Sequence, residues 1–209
     1  MPVVDLTMDF IGERFQPDIE RSEKFLKSGS TAYTGVVYKM THDGMSGTYI
    51  DFPGHIAETD NGVYADNCPL EKVYRVPASV IHLDHRSGDG AVSAAELEAA
   101  FGGKVTTEAL VINALGSNAN AGEIDLRSVY LDDSAVEWIL ASGCKLLVSD
   151  IYESKALHGV FLKLFGAGVI TVCLPVNLWK LTAPQVKLTA LFARMPQVTQ
   201  LPCRLVAEF

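Results

Sequence analysis

A phenol, a carboxylate and an imidazole occur close together in the first third of the chain, as Tyr49, Asp51 and His55. In an extended strand alternate side chains point to the same face, so Tyr49 and Asp51 would share one face. Pro53 fixes its own φ and Gly54 permits unusual backbone conformations, so this pair can turn His55 back toward them. Three groups that exchange protons would then converge, as general acid and base catalysis requires.

Each of these side chains also has a structural explanation. A histidine and a carboxylate can stabilise a Pro-Gly turn by hydrogen bonds alone. Tyr49 can be a buried aromatic residue whose hydroxyl group simply finds a partner. The residue types by themselves leave both interpretations open.

The composition is that of an ordinary globular domain. Of 209 residues, 48% are apolar and 20% are charged, which is enough for one sizeable core. We therefore predict a single domain over residues 1–209. The net charge of −8 comes from 25 acidic and 17 basic residues without long runs of either sign. This pattern argues against nucleic-acid and membrane partners, and the small-molecule substrate that we expect as a partner rests on other features of the sequence.

The cysteines show neither metal-binding spacing nor a disulfide framework, and they lie in or beside apolar stretches: Cys68, Cys144, Cys173 and Cys203. This usage is typical of reduced thiols in a cytosolic protein. The sequence has no signal-peptide pattern at its start and no apolar stretch approaching the roughly 20 residues of a membrane span. We expect a cytoplasmic protein.

The first half of the chain predicts mainly strands. A capping-box pattern at Ser93 and Glu96 begins a helix, and Gly102 ends it. The polar segment 12–30 lacks periodicity and is predicted to be a surface loop. Strands are predicted at residues 3–10, 33–40, 80–83 and 109–114.

The second half predicts alternating helices and strands. Asp132 is a good N-cap for one helix, and Ser154 begins another whose inner face would hold Leu157, Phe161, Leu162 and Phe165. Strands are predicted at residues 145–150, 169–174, 186–195 and 203–209. A strand, a helix and a strand of these lengths imply a parallel crossover. Ligand sites in such sheets lie beyond the carboxyl ends of the strands, near Asp150 and residues 173–177.

Five residues around the candidate site match a known signature, His-x-Gly-Thr-His-x-Asp-x-Pro-x-His: Gly47, Thr48, Asp51, Pro53 and His55. The chain thereby resembles the cyclase family, metal-dependent hydrolases that include bacterial kynurenine formamidase. The likeness covers nearly the full length through further matches: Asp5-Leu6-Thr7, His158, Asn177-Leu178 and the close from Pro202 to Arg204. It implies an α/β class and a single-domain kynurenine formamidase-like β/β/α fold, with a mixed sheet and flanking helices.

The sequence departs from the family pattern at metal-ligand positions. Met45 and Tyr49 stand where the signature has histidines, and Cys173 stands where the family has a glutamate. Asp51, His55 and His158 then remain as the ligands of any metal site, and a Cys173 thiolate could complete a zinc site. A catalytic zinc needs about three protein ligands. We predict no cofactor, with zinc or manganese as the alternative.

Other candidate residues are weaker. The sequence from His82 to His85 has ligand-like residue types but is better explained as a solvated turn, and His42 with Asp43 as loop polarity. The chain lacks a Walker loop, a dinucleotide fingerprint and a Gly-x-Ser-x-Gly elbow.

Three hypotheses follow. The first is an enzyme of the hydrolase or lyase type, acting on a small amide, lactone or cyclic carbonyl compound by metal-independent acid and base chemistry. Its catalytic residues would be Tyr49, Asp51, His55 and His158. The second is a metal-dependent amide or lactone hydrolase similar to kynurenine formamidase, and the third is a non-catalytic relative.

The resemblance also implies neighbours of the catalytic residues and an assembly. Met45, Cys173 and Asn177 are the residues we expect to bind substrate. Family members commonly assemble, and we expect a homodimer or a higher homo-oligomer.

Overall fold

The computed structural model describes residues 2–10, 16–83, 89–118, 128–154 and 156–209. Within these residues, a mixed sheet of nine strands forms the centre and three α-helices flank it. The strands are β1 (Val3–Asp5), β2 (Asp18–Ser28), β3 (Thr31–Thr41), β4 (Tyr49–Asp51), β5 (Val76–His82), β6 (Asp89–Val92), β7 (Ala109–Asn113), β8 (Ser128–Leu131), β9 (Leu146–Ser149), β10 (Ile170–Cys173), β11 (Gln185–Leu191), β12 (Gln200–Pro202) and β13 (Arg204–Glu208). The helices are α1 (Ala94–Phe101), α2 (Asp133–Ala141) and α3 (Val160–Gly166).

The large sheet has the order β1-β13-β11-β5-β7-β9-β10-β4-β12. Strands β5, β7, β9 and β10 are parallel to one another, and the strands outside them pair antiparallel. The predicted crossover is confirmed, because β9 and β10 pair in parallel and α3 connects them. The sheet thus places the motif strand β4 directly beside β10.

The sheet has an apolar core on each face. In the core of one face, each helix contributes buried residues that pack with alternate residues of the sheet, among them Leu97 of α1, Val136 of α2 and Leu164 of α3. The other core contains Ile50 and Phe52 from the motif region. Strands buried on both faces explain the continuous apolar sequences of the parallel strands.

The helix starts predicted at Ser93 and Asp132 are confirmed. The Ser93 side chain accepts a hydrogen bond from the Glu96 amide, and the Glu96 carboxylate accepts one from the Ser93 amide at 2.9 Å. Asp132 Oδ1 accepts from the Ala135 amide at 2.9 Å. These caps satisfy amide groups that the first turn of a helix leaves unpaired.

The helix start predicted at Ser154 is wrong, because α3 begins only at Val160. The Glu153 carboxylate accepts hydrogen bonds from the His158 and Gly159 amides at 2.9 and 3.2 Å. Gly159 has a φ of 78°, so the helix cannot extend backward through it. Leu157 is 89% exposed instead of lying on an inner face, and His158 precedes the helix.

The loop predicted over residues 12–30 is also wrong where the structure describes it. Asp18–Ser28 forms β2, which pairs antiparallel with β3 along its whole length. Its polar sequence hides the strand pattern, since both of its faces are exposed. Of the remaining elements, β1 is shorter than predicted and β5 longer. In the described part of the chain, no helix is long and apolar enough to cross a membrane.

Candidate active site

Strand β4 lies between β10 and β12 and is antiparallel to both. Tyr49 stands opposite Cys173, and Asp51 stands opposite Thr171 on one side and Gln200 on the other. Side chains of directly opposed residues lie on the same face of a sheet. Strand pairing therefore brings these five side chains together on the face that α3 covers.

Thr48 fixes the start of β4. Its hydroxyl group donates a hydrogen bond to the Leu174 carbonyl at 2.7 Å and accepts one from the Met8 amide at 2.8 Å. Gly47 has a φ of 65°, and a Cβ there would lie 3.3 Å from the Met8 carbonyl oxygen. The Gly-Thr part of the signature thus holds the strand in place and does not itself present a reactive group.

A tight turn follows β4. The Phe52 amide donates to the Thr199 carbonyl at 2.8 Å, and Pro53–His55 forms one 3-10 turn. A Cβ on Gly54 would lie 2.9 Å from Thr199 Cγ2 and 3.0 Å from Asp60 Oδ1. Glycine is needed here for close approach, and the turn carries His55 away from the strand.

Asp51 is a buried carboxyl group, with 1% of its surface exposed. The Cys173 thiol donates to its Oδ2 atom at 3.7 Å, while Oδ1 is buried without a hydrogen-bond partner. Burial raises the pKa of Asp51 to about 7, and the hydrogen bond from Cys173 opposes this rise. Near neutral pH the carboxyl group can therefore both give and take a proton.

Cys173 connects Asp51 to Tyr49. Burial and the neighbouring Asp51 charge raise the pKa of Cys173 well above its ordinary value, so the thiol keeps its proton. That single proton is donated to Asp51, so the phenol of Tyr49, which also hydrogen-bonds the sulfur, is the donor in the second bond. We call the sequence Tyr49, Cys173, Asp51 the relay. Its outer end is half-buried and its inner end is buried.

The surroundings of the relay include residues that sequence analysis missed. Thr171 is buried beside Asp51, and the Gln200 Oε1 atom is buried without a hydrogen-bond partner. The period of two in β10 could have identified Thr171, which shares a face with Cys173. No sequence signal marks Gln200, whose place depends on the pairing of β12 with β4.

His55 is half-buried beside α3. Its ring packs edge-on against Phe165, with 6.3 Å between centroids, and burial lowers its pKa. The imidazole is therefore neutral near pH 7. His55 therefore contacts helix α3, whereas the residues of the relay lie on strands β4 and β10.

His158 has its own set of contacts. Its ring stacks on Tyr130 with 4.0 Å between centroids, and Nε2 lies 3.0 Å from the Ser154 hydroxyl oxygen. The structure thus groups Tyr49, Asp51 and Cys173 and holds the two predicted catalytic histidines in separate contacts.

The expected substrate-binding residues other than Cys173 differ in exposure. Met45 is 43% exposed in the turn before β4, where a ligand could reach it. Asn177 has a φ of 61°, and its side-chain amide donates to the Asp5 carbonyl at 3.0 Å. This hydrogen bond gives Asn177 a structural role.

Two other polar groups end strands of the sheet. Asp150 accepts hydrogen bonds from the Ala114 and Leu115 amides at 2.8 and 3.0 Å, which ties the ends of β7 and β9 together. His82 Nε2 lies 2.8 Å from the Leu181 carbonyl, and Nδ1 lies 2.9 Å from the Asn113 side-chain nitrogen. Most of the turn predicted after His82, including His85, lies outside the described residues.

The donors around Asp51 do not fit a catalytic zinc, which takes three protein ligands and keeps one open position. A carboxyl group and a protonated thiol are close together, but His55 and His158 are held in other contacts. Over the described ranges, no three His, Cys, Asp or Glu side chains are grouped so that they could hold a metal ion.

Comparison with known proteins identifies the family. A model of the family Cyclase, described as "Putative cyclase", matches residues 4–154. The chain therefore belongs to the cyclase family. The replaced positions 45, 49 and 173 make it a divergent member. No curated protein matches it in a sequence comparison.

Solved structures share the fold over the whole chain. Isatin hydrolase A from Labrenzia aggregata matches with a TM-score of 0.73 and 17% identity, covering 99% of this chain and 93% of the other. A second isatin hydrolase, bound to a product analogue, matches with a TM-score of 0.68 and 19% identity, and the match covers 98% of this chain and 91% of the other. A "Potential Metal-Dependent Hydrolase With Cyclase Activity" matches with a TM-score of 0.69 and 13% identity, and the match covers 99% of this chain and 96% of the other. The predicted cyclase fold, with its mixed sheet and flanking helices, is confirmed.

Proposed function

We propose that this chain is a cyclase-family enzyme that acts on a small amide, lactone or cyclic carbonyl compound by acid and base chemistry without a metal. The observation that carries the proposal is the relay. It joins a half-buried phenol to a buried carboxyl group whose pKa is about 7, through a thiol that keeps its proton. Perturbed titratable groups of this kind are characteristic of catalytic sites.

In this proposal Tyr49 is the group that contacts the substrate, because it is the less buried end of the relay. When Asp51 is protonated, both hydrogen bonds of the relay reverse, so that the carboxyl group donates to the Cys173 sulfur and the thiol donates to the Tyr49 oxygen. The phenol hydrogen is then available to the carbonyl oxygen as water adds to the carbonyl carbon, and the proton that the water loses goes to the solvent. Asp51 exchanges a proton with Tyr49 through the Cys173 thiol. Since its pKa lies near neutral pH, either direction of transfer is accessible. His55 and His158 stay as proposed catalytic residues, although their contacts are separate from the relay.

The test is hydrolysis of carbonyl compounds in a buffer that contains a chelator. Isatin hydrolases are among the similar structures, so isatin is the first probe, followed by simple lactones and an N-formyl aromatic amine. Tyr49→Phe and Asp51→Asn should each lower turnover by about 100-fold or more, the usual scale for a positioned acid or base. His55→Ala should also lower it if the imidazole takes part.

Cys173 gives a sharper comparison. Cys173→Ala removes the connecting hydrogen, whereas Cys173→Ser keeps a donor to Asp51 and should retain at least about ten times the turnover of the alanine variant. Tyr74→Phe and Asp133→Asn are matched controls, since both side chains are exposed and neither belongs to the relay.

Other results would assign another function. Turnover that appears only after zinc or manganese is added would favour a metal-dependent hydrolase. Unchanged turnover in Tyr49→Phe and Asp51→Asn would show that the relay is structural. Absence of turnover across the panel, in protein that is folded, would favour the non-catalytic relative.

A further inference from the structure

Two buried oxygen atoms belong to residues that stand opposite each other beside the relay. Asp51 and Gln200 are directly opposed in the pairing of β4 with β12, so their side chains lie on the same face of the sheet. Oδ1 of Asp51 and Oε1 of Gln200 are both buried, and among the described residues neither atom has a hydrogen-bond partner. The other carboxyl oxygen of Asp51 belongs to the relay. The pair therefore consists of two acceptors that need a donor from outside the described chain.

Such a pair calls for an explanation. Most buried polar atoms in proteins have a hydrogen-bond partner, which is either a protein group or an ordered water molecule. Here two exceptions occur on neighbouring strands, at the same register position. One partner shared by both oxygens explains the two exceptions together.

The Gln200 side chain is held in place by the turn before β4. A Cβ on Gly44 would lie 3.0 Å from Gln200 Cγ and 2.8 Å from the Gln200 carbonyl oxygen. Glycine at position 44 thus lets this turn cover the stem of the glutamine. The cover explains how Oε1 is buried although β12 is the last strand of the described sheet.

A water molecule is the partner that suits two acceptors. It has two hydrogens, one for each oxygen, whereas the N–H group of a substrate amide has only one. A buried water typically makes about three hydrogen bonds, so two bonds to the protein leave capacity for a third contact. A divalent cation is less suitable, because within the described ranges no three His, Cys, Asp or Glu side chains are grouped to hold one.

We propose that Gln200 is a further catalytic residue, which together with Asp51 holds the water molecule that attacks the carbonyl carbon. This inference rests on the proposed function, because it assigns the nucleophile of that reaction. The two acceptors take both hydrogens of the water, so its lone pairs are free to add to a carbonyl group.

The spacing along β4 suits this arrangement. Tyr49 and Asp51 are two residues apart on one face, an offset of about 6.6 Å along the strand. A carbonyl group between them needs about 3–3.5 Å from the attacking oxygen to its carbon, about 1.2 Å for the double bond and about 2.7 Å from its oxygen to the phenol. Pro202 stands opposite Tyr49 on β12 and has no donor or acceptor in its side chain that would compete for the water.

The water oxygen forms the new bond to the carbonyl carbon, and the π electron pair of the carbonyl moves to its oxygen, which takes the phenol hydrogen of Tyr49. The proton that Asp51 releases from Oδ2 restores the phenol through the relay. Oδ1 of Asp51 is the first acceptor of the proton that the water loses, before this proton passes to the solvent. Both carboxyl oxygens are thus used, one by the relay and one by the nucleophile.

The kinetic experiment compares Gln200→Met with Gln200→Glu in the chelator buffer, with isatin and then the lactones as probes. Gln200→Met keeps the length of the side chain but loses the acceptor, so kcat should fall by about 100-fold, as for a misplaced reactant, while KM stays within about threefold. Gln200→Glu keeps an acceptor oxygen and should retain at least about ten times the kcat of the methionine variant. Gln185→Met is the matched control, because Gln185 is an exposed glutamine on another strand of the same sheet.

A crystal structure gives a second measurement that does not depend on turnover. The wild type should show an ordered water within about 3.2 Å of both Oδ1 of Asp51 and Oε1 of Gln200, and Gln200→Met should lack it. A glutamine whose amide nitrogen donates directly to Asp51 would overturn the inference, as would a structure without a water between the two oxygens.

The two measurements separate this inference from the proposed function. Loss of turnover in Tyr49→Phe and Asp51→Asn with wild-type kcat in Gln200→Met would overturn the role of Gln200 alone. A change in KM with unchanged kcat would also overturn it, because the glutamine would then bind substrate. If no probe is hydrolysed by the wild type, the proposed function and the nucleophile fail together, and the crystal structure still decides whether the two oxygens bind a water.

Discussion

The Cys173 thiol donates a hydrogen bond to Oδ2 of Asp51 at 3.7 Å, although 122 residues separate the two in the chain. They meet because β4 and β10 pair antiparallel, which sets Cys173 opposite Tyr49 and one step along the face from Asp51. The consequence is an acid whose burial is incompletely compensated, since its second oxygen is left without a partner. The stability of the protein should therefore depend on the charge of Asp51.

The free energy of unfolding of Asp51→Asn should increase relative to that of the wild type as pH rises. The pKa of Asp51 is about 7 in the folded chain and near 3.8 when unperturbed. A raised folded pKa contributes stability below the unfolded value, and this contribution is lost as pH rises from about 4 to about 7. The difference between the two proteins should change by about 4 kcal/mol at most across that window. Urea unfolding at pH 4.5, 6 and 8 measures it.

Asp133→Asn is the control for this pH effect, because Asp133 is an exposed carboxylate at the start of α2. Its difference from the wild type should stay nearly constant over the same range. A constant difference for Asp51→Asn as well would show that Asp51 is ionised at little free-energy cost in the folded chain.

Thr48→Val should destabilise the protein by about 2–6 kcal/mol. The substitution keeps the size of the side chain but leaves the Met8 amide and the Leu174 carbonyl without their partner, at about 1–3 kcal/mol for each buried group. Thr48→Ser keeps both hydrogen bonds and should lose less than about 1.5 kcal/mol. Equal losses in the two variants, measured by urea unfolding, would mean that packing of the methyl group is the larger contribution.

The cysteines should be inert in the folded protein. Cys144, Cys173 and Cys203 are at most 5% exposed, and burial raises the pKa of Cys144 and of Cys203 to about 12. Cys68 is half-buried, with a pKa raised to about 11, and should react slowly. A disulfide reagent at pH 7.5 should label Cys68 slowly in the folded protein and the other three thiols only after unfolding. Rapid labelling of folded Cys68→Ser would contradict the burial of the relay thiol.

Removal of divalent metal should leave thermal stability unchanged. Within the described residues, the two histidines and the relay do not form a three-ligand site, so we expect no tightly held ion for a chelator to withdraw. A metal ion that binds the folded protein and is present at 100 times its dissociation constant would instead add about 2.7 kcal/mol to the free energy of unfolding. Such a loss should lower the melting temperature by about 5–10 °C in a domain of this size. Melting curves with and without chelator distinguish the two results.

Elements with local signals could be predicted from the sequence. The caps at Ser93 and Asp132 act within three or four residues of themselves, so a short pattern contains all the information. The buried parallel strands were equally clear, because both of their faces are apolar. Strand β2 was missed because its sequence has no apolar period. Its extended conformation is determined by its pairing with β3. The start of α3 was missed because Glu153 satisfies the amides that a longer helix would have used.

The candidate site divides in the same way. The signature located Tyr49 and Asp51, and the family's glutamate position indicated Cys173 as another residue of the site. It could not show that the sulfur connects the other two side chains. The contacts of His55 with Phe165 and of His158 with Tyr130 depend on how α3 and β8 are positioned, which no short pattern contains.

The anchoring of β4 by Gly47 and Thr48 has a consequence for how such signatures are used. Gly47 and Thr48 hold the backbone in place, through a left-handed conformation and two hydrogen bonds. This role does not depend on which residues occupy positions 45 and 49. A chain can thus exchange its reactive groups while its scaffold residues keep matching the pattern. Diagnosis of a reaction from this motif should be based on the variable positions, since the Gly-Thr pair reports only that the strand is in place.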